Sequence, residues 1–501
     1  MRIAGWTGVA CIAALLGPWA GRADASGHHG DALLRVSAWP EELGGLGLDV
    51  WTDRPTAPEL LVRVSPEQRA QLDATGFAYE VIEPDLGPWV DAERARIAAA
   101  ARPAPGLDLG FYAEYRDLEA VYRRLDELAA AEPKRVRSLS IGESIEGRPL
   151  RALRLGRIGR DDRPVITVVA CQHAREWISL AATLWATEQI ATAPSGSHLD
   201  ALLDQVELVV IPVLNPDGYV RTWEDERFWR KNRRDDHGVD LNRNWSVAWG
   251  GPGSSPYPYD ENFRGAQPFS EPESAALRDL VTGDPDQLAL LDVHSYGQLV
   301  LYPWGFDTIE APDADLLAEL GTDLAEELAV PHGTEYQPLQ SADFYPAAGN
   351  SMDWAYGQAG LYAFGLELRP DVDTEPGFLL GPEHIVPTGE ELLGAIEVLV
   401  ESTVALGPGE AGDSGGPVPG TGAGDEGGDD GGRPSVGTDD DEPWPPPGGT
   451  GSTTGAEEPA MLDDTPGCGC RTEGRGGAGW WALLLGLAAR RRRARARARA
   501  A

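Results

Sequence analysis

Cysteine is scarce in this 501-residue chain: Cys11, Cys171, Cys468 and Cys470 are the only four, too few and too scattered to staple a disulfide scaffold. Positive charge is in short supply as well. Forty-two basic residues face 80 acidic ones, for a formal net charge of −38, which excludes a general nucleic-acid binder because attraction to phosphates needs a positive face. Apolar side chains are not lacking. They make up 42% of the chain and include 16 tryptophans, so a wholly disordered protein is excluded and a sizeable core is expected. A length of 501 residues exceeds the usual domain of about 100–200 residues, which implies one enzyme-sized domain with appendages, or two to three domains.

The ends of the chain read as addresses. Residues 1–25 carry one early charge (Arg2), an apolar stretch from Ile3 to Ala20 and the small-x-small exit Ala23-Asp24-Ala25, the pattern of a secretory signal peptide cleaved after Ala25. Residues 407–466 turn to Gly, Pro, Asp, Glu, Ser and Thr with almost no aliphatic residues and read as a disordered acidic linker. Residues 467–501 then hold Cys468-Gly469-Cys470, a short apolar run from Trp480 to Leu487, and Arg490 to Arg493 with Arg495, Arg497 and Arg499. Positive charge directly after an apolar segment retains a tail on the cytoplasmic side. The order of these elements resembles the C-terminal sorting tail of myxobacterial surface proteins, which implies export with attachment at the membrane or cell surface, or release outside.

Between these ends, residues 26–106 read as a small α+β unit. Its strands fall at Leu33 to Ser37, Gly47 to Trp51, Leu60 to Ser65 and Phe77 to Ile82, with a helix at Pro66 to Thr75. It ends in an Ala-rich, Arg-punctuated stretch from Ala92 to Pro105, the kind of exposed connection that proteases cut, so the unit reads as a pro-region. Residues 107–406 alternate strands and helices: a hairpin-like pair at Arg137 to Ser144 and Arg148 to Gly156, a continuous run of buried-strand character at Val165 to Ala170, and an amphipathic helix Trp177 to Ile190. Further strands are expected at Val206 to Leu214, Leu288 to Val293, Leu299 to Tyr302 and Leu361 to Leu368, and helices at Glu271 to Val281, Asp313 to Leu328 and Glu390 to Leu406. The fold class is α/β, a mixed, mostly parallel twisted sheet with helices on both faces.

The chemistry sits at strand ends. The run Val165 to Ala170 opens into Cys171-Gln172-His173-Ala174-Arg175-Glu176, so His173 and Glu176 lie at a carboxyl edge, where open α/β sheets bind ligands. An H-x-x-E pair can present an imidazole and a carboxylate to one metal ion, but a catalytic zinc usually takes three protein ligands. His294 is the best third candidate because it also follows an apolar strand.

Taken together the motifs resemble the M14 family of zinc carboxypeptidases. The match covers roughly Phe111 to Leu406 and includes His173-Ala174-Arg175-Glu176-Trp177, Asn215-Pro216-Asp217-Gly218-Tyr219, Arg227 to Arg233, Gly238 to Trp245, His294-Ser295-Tyr296 and Leu366-Glu367-Leu368-Arg369, all in the family's order. The resemblance implies a zinc carboxypeptidase-like fold and one Zn2+ held by His173, Glu176 and His294, with Asp240 receiving the remaining N–H of the first zinc histidine. It implies Glu367 as general base and Arg230 as the cation facing the oxyanion. Asn242 and Arg243 match the clamp for the substrate's terminal carboxylate, Tyr345 the tyrosine that covers it, and Arg175 and Arg227 further cations on the approach; Ser295 and Tyr296 complete the substrate-binding set. The implied reaction is release of the C-terminal amino acid from peptides or proteins by a monomeric catalytic domain.

Specificity is expected from the segment Tyr345 to Trp354. Met352 falls where enzymes that cut after Lys or Arg have an acid, and a methionine is apolar and adaptable, so large hydrophobic or aromatic C-terminal residues are expected, with Gln340 and Asn350 adding polarity. Two features depart from the family pattern: residues 107–406 hold only Cys171, so the disulfide of some secreted animal members is absent, and Arg369 precedes Pro370, where a cis bond is expected at low cost. A peptidoglycan-stem metallopeptidase need not keep Arg243 and Tyr345. A deacylase of small N-acyl amino acids lacks the full motif series, and a non-catalytic surface-binding homologue would lose Glu367 or a zinc ligand.

Overall fold

The computed structural model describes residues 27–407 apart from 39, 44–45, 54–58, 102–109, 158, 160–162 and 373–376. The expectations for the signal sequence, for the tail and for all of the linker but Gly407 lie outside the described residues, as does the stretch Arg102 to Pro105.

The N-terminal part contains β1 (Ala32–Val36), β2 (Asp49–Asp53), β3 (Leu60–Val64), α1 (Pro66–Thr75), β4 (Tyr79–Glu83) and α2 (Gly87–Ala100). Its strands pair antiparallel in the order β2-β3-β1-β4. Period-two alternation gives the sheet two apolar faces. Ala32, Leu34 and Val36 of β1 and Leu60, Val62 and Val64 of β3 close on Leu72 of α1, whereas Leu33 and Leu61 join a second cluster with Phe228, Tyr296 and Phe378 of the main body. Helix α1 starts on a capping box, with Ser65 Oγ accepting from Gln68 N at 3.2 Å and Gln68 Oε1 accepting from Ser65 N at 2.9 Å. The Ala-rich stretch is helical as far as Ala100, because alanine and long unbranched side chains favour the helix, and from Ala92 on only Glu93 among its described residues is buried. Val90 and Glu93 of this α2 are buried against the main body.

The main body contains α3 (Leu118–Ala131), β5 (Val136–Glu143), β6 (Pro149–Leu155), β7 (Val165–Ala170), α4 (Trp177–Ala191), α5 (His198–Leu202), β8 (Glu207–Ile211), α6 (Pro216–Glu224) and α7 (Pro272–Thr282). These are followed by β9 (Gln287–Gly297), β10 (Leu299–Tyr302), α8 (Ala314–Leu328), β11 (Gln337–Gln340), α9 (Ser341–Phe344), α10 (Ser351–Gly357), β12 (Tyr362–Asp371) and α11 (Ile385–Leu406). One mixed sheet runs β11-β10-β12-β9-β7-β8-β6-β5. Its centre, β12-β9-β7-β8, is parallel, and every residue of β7, β8 and β9 is buried, as expected of strands covered on both faces. Helices α4 and α8 both pack on α11.

Most elements fall where the patterning puts them, and the differences have physical causes. Helix α4 is not amphipathic: twelve of its fifteen residues are buried, because it lies between the sheet and α11. Strand β9 runs on past Val293, so His294 is part of it. Helix α3 went unread although Leu118, Val121, Leu125 and Leu128 form a buried i, i+3, i+4 stripe behind an Asp117 cap. Helix α11 begins at Ile385, ahead of the expected Glu390, and accommodates Pro387 in its first turn, where the missing N–H has no helical partner to lose. The Arg369–Pro370 bond is cis, as are Ser295–Tyr296 and Pro303–Trp304.

Leu290 sits in β9 with no exposed surface. Leu290→Ala removes its packing and leaves a cavity, so a loss of about 2–5 kcal/mol is expected, read as a lowered urea midpoint at unchanged slope.

Candidate metal centre and active-site cleft

Parallel register brings the chemistry to one edge. In the pair β12–β9, Glu367 lies directly across from His294, while β7 ends at Ala170 and turns through Cys171, at φ 54°, into the segment bearing His173 and Glu176. Glu176 stands immediately before α4. His173 Nδ1 lies 2.7 Å from Glu176 Oε1, and His294 Nδ1 lies 3.0 Å from Glu176 Oε2 and 3.1 Å from His173 Nδ1. All three side chains are buried, and their donor atoms fall within 4.8 Å of one another. Lone pairs packed this closely call for a positive charge among them. Two imidazoles and one carboxylate are a ligand set of zinc peptidases, so the residues present fit Zn2+.

The outer nitrogens of both imidazoles are also engaged. His173 Nε2 lies 3.1 Å from Asp240 Oδ1, as the resemblance implied, and His294 Nε2 lies 2.9 Å from Asp292 Oδ2. Asp292 was missed from sequence, although i and i+2 of a strand share a face and it stands two residues before His294. Arg230 grips the far oxygen of Asp240 through Nη2 at 2.9 Å and Nε at 3.2 Å. Burial alone would raise the Asp240 carboxyl, but Arg230 and His173 hold it well below the usual range.

A cleft of about 610 Å³ opens over this edge, lined among others by His173, Glu176, Arg230, Arg243, Ser295, Tyr296, Tyr345 and Glu367. Burial, reinforced by Glu176 and opposed by His294 and Arg230, pushes the Glu367 carboxyl up to about 8. Ser295 donates its backbone N–H to Glu176 Oε2 at 3.2 Å, and Tyr296 meets the Phe378 ring edge-on at 4.9 Å. Asn242 and Arg243 follow Asp240 in a tight turn closed by Asn242 N–H to Asp240 Oδ1 at 2.9 Å. The Arg243 guanidinium is held by the carbonyls of Gly253 at 2.8 Å and Asn242 at 2.7 Å and lies 5.8 Å from the Tyr345 ring. Only glycine serves at position 253: its φ is +75° and a Cβ there would fall 1.6 Å from the Pro346 carbonyl oxygen.

Arg175 and Arg227 are not free on the approach. Both are buried and turned to the N-terminal part: Arg175 Nη1 donates to Asp49 Oδ1 at 2.5 Å, and Arg227 Nε to Glu93 Oε2 at 2.6 Å. Met352 is buried in α10, its sulfur against Gly365 of β12. The polarity expected of Gln340 and Asn350 is spent on the protein. Gln340 Nε2 donates to the carbonyls of Trp304, Asp307 and Ile309, and Asn350 Nδ2 to Ala347 O and Asp353 Oδ2.

If the buried triad holds the ion, the full chain carries one zinc, and Glu176→Ala, His173→Ala or His294→Ala loses it. Metal analysis after gel filtration checks this; stoichiometric zinc in all three variants would place the ion elsewhere.

The family model for zinc carboxypeptidases matches residues 121–395. Carboxypeptidase A1 of Mus musculus is 35% identical over 399 residues, covering 75% of this chain and 94% of the relative. The carboxypeptidase A of Helicoverpa armigera superposes with a TM-score of 0.68 at 29% identity, over 76% of this chain and 99% of that one. Thrombin activatable fibrinolysis inhibitor superposes with a TM-score of 0.66 at 26% identity, over 75% and 99% of the two chains. The family-model match over more than half of the chain, a relative 35% identical over 75% of it and the superposition on solved carboxypeptidases establish that the chain belongs to the zinc carboxypeptidase family and is a zinc-dependent peptide hydrolase.

Proposed function

We propose that the chain is an exported carboxypeptidase zymogen whose mature form, residues 107–406, acts as a monomer to release large hydrophobic or aromatic C-terminal residues. The observation that carries the reaction is the register that sets Glu367 across from His294, above a buried His-Glu-His triad. Zinc, when bound, polarises the scissile carbonyl, acidifies water and draws a neighbouring carboxyl toward its anion. Glu367 takes the proton of the attacking water and hands it to the leaving amine. Arg230, fixed on Asp240 by two of its nitrogens, offers the third to the developing oxyanion. Arg243 and Asn242 hold the terminal carboxylate, a planar guanidinium suiting that geometry, and Tyr345 closes over it. A peptidoglycan-stem peptidase would not need this clamp.

Apolar specificity follows from what the pocket residues do. Met352 replaces an acid, and the amides of Gln340 and Asn350 are occupied by backbone carbonyls and Asp353. Asp353 itself is buried and accepts N–H bonds from Gly305 and Phe306 at 2.8 and 3.0 Å. A substrate guanidinium would meet the apolar Met352 in place of an acid, with Asp353 already engaged by Gly305, Phe306 and Asn350, and would lose hydration without gaining an ion pair. Activated wild type should cleave C-terminal Phe or Leu over C-terminal Arg by at least about tenfold in kcat/KM, and Glu367→Gln should lose about 10²–10⁴ in kcat with zinc retained. Faster release of Arg would refute the specificity, and an active Glu367→Gln the base.

Residues 26–106 are proposed as an inhibitory pro-region. Leu43, Leu48, Val50, Trp51 and Leu60 line the cleft, and Trp51 packs 5.0 Å from both Phe228 and Phe378. Export is supported by the signal-like residues 1–25 and by the tail resemblance; attachment through residues 467–501 belongs to the same reading. Burial would raise the Asp49 carboxyl, but Arg175 and Arg63 hold it below its usual 3.8. Glu261, half-buried nearby, is pushed above its usual 4.5 by burial and by Asp49. A depressed acid favours the closed state at every pH above its free value and lets go only below it, whereas a raised acid favours closure more as pH falls. Mild acid therefore does not open this latch. Asp49→Asn, breaking a buried pair worth about 3 kcal/mol, should raise the activity of the uncleaved chain about 10²-fold, and that gap should hold from about pH 8 to 5 and close below the ordinary aspartate range. Equal activity of the two uncleaved proteins at neutral pH would exclude the latch.

A further inference from the structure

We infer that Asp292 is a positioning residue for the metal centre, orienting His294 as Asp240 orients His173. Both histidines turn Nδ1 toward Glu176 and Nε2 toward a buried carboxylate. A carboxylate behind the outer nitrogen fixes the tautomer in which Nε2 carries the proton, leaving Nδ1 its lone pair, and makes the imidazole a stronger ligand. The inference rests on His294 being a zinc ligand.

Asp292 is itself held in place. Its Oδ2, the oxygen that faces His294, also accepts from Gln172 Nε2 at 2.6 Å and from Ser351 Oγ, and Gln172 Nε2 lies 3.3 Å from the same serine oxygen. The three groups come from different elements: Gln172 from the turn after β7, Asp292 from β9, and Ser351 from the start of α10, one residue before Met352. Asn242 accepts from Ser351 N at 2.9 Å, and its Nδ2, itself a donor, stands 3.1 Å from His294 Nε2, where it competes with the Asp292 carboxylate for that nitrogen. The other oxygen, Oδ1, has no hydrogen-bond partner among the described residues, and the side chain is 1% exposed. A buried carboxylate with one oxygen unpaired costs folding energy, so stability alone does not account for an aspartate here. Its charge, placed 2.9 Å from the ligand's outer nitrogen, does.

The test uses the full chain. Zinc affinity is measured by competition with a chromophoric chelator, and the visible d–d bands of the Co2+-substituted protein report ligand geometry independently of activity. Asp292→Asn, nearly isosteric, is expected to weaken zinc binding by about 10–100-fold and to shift the cobalt bands while thermal unfolding of the metal-free protein stays cooperative. Wild-type affinity and an unchanged cobalt spectrum in that variant would overturn the proposal. Should Asp292→Asn not fold, the double variant Gln172→Leu with Ser351→Ala keeps the carboxylate but removes two of the groups that aim it. Weaker zinc binding and altered cobalt bands there support the inference, and unaltered ones refute it. Absence of zinc from the wild type would instead refute the ligand set.

Discussion

Four carboxylates, Glu176, Asp240, Asp292 and Glu367, surround two imidazoles at the carboxyl edge of the sheet, the first three buried and Glu367 half-buried at the cleft. So much negative charge in so small a volume is stable only if positive charge is distributed through it, since an unpaired buried ion costs several kcal/mol. Arg230 supplies part, gripping Asp240 at 2.9 Å, and the His-Glu-His triad is the site for the rest. The metal is thus a structural counter-ion as well as a Lewis acid. The fold around it consists largely of the means to hold these charges: parallel strands that end level, a turn that aims His173, and a helix that starts at Glu176.

The same electrostatics extend from the site to the surface that closes it. Arg175 and Arg227, two buried cations beyond the triad, would carry large desolvation costs alone. Asp49 and Glu93 of the N-terminal part satisfy them at 2.5 and 2.6 Å, and the second face of the four-stranded sheet contributes Leu33, Trp51 and Leu61 to a cluster shared with Phe228 and Phe378. A small sheet that kept only one apolar face would have no reason to sit here. With two, it has a core of its own and an apolar cluster shared with the main body, and on the proposed reading its acids occupy cations that acidic groups of a substrate would otherwise seek. Inhibition and recognition on this reading draw on one set of cations.

Sequence legibility divides along the range of the interactions. The fold class, the strand runs, and the placement of His173, Glu176, His294 and Glu367 at strand ends are local patterns, and they stand in the structure where periodicity puts them. Asp292 was equally local, two residues before His294 on the same strand face, yet Leu291-Asp292-Val293 reads as an apolar run interrupted once, and only tertiary contact with Ser351, 59 residues on, shows what the interruption is for. The partners of Arg175 and Arg227 lie 126 and 134 residues away, across two sheets, and no spacing rule reaches that far. In helix α2 the alanines and arginines from Ala92 on are largely exposed, as expected of a connection, and only the anchoring of Val90 and Glu93 on the main body lay beyond the reach of spacing.

The chain's net charge of −38 is what gives these few cations their leverage. Most of that charge falls on residues 107–406, not on the acidic linker, so the protein around the cleft repels anions at long range. A peptide carboxylate is therefore not drawn in by the molecule as a whole. Within about a Debye length, 8–10 Å at ordinary salt, Glu176, Asp260, Glu261 and Glu367 line the cleft beside Arg230 and Arg243, so a carboxylate is held there by individual guanidiniums and by the positive charge of a bound metal, not by the sign of the cleft as a whole. On the proposed reading, discrimination of a chain terminus from internal acidic side chains therefore rests on reach into the cleft and not on long-range attraction. A carboxylate at the very end of a flexible chain can be carried to the buried guanidinium of Arg243, as the proposed clamp requires, whereas one fixed in the middle of a folded surface cannot enter and meets only the repulsion.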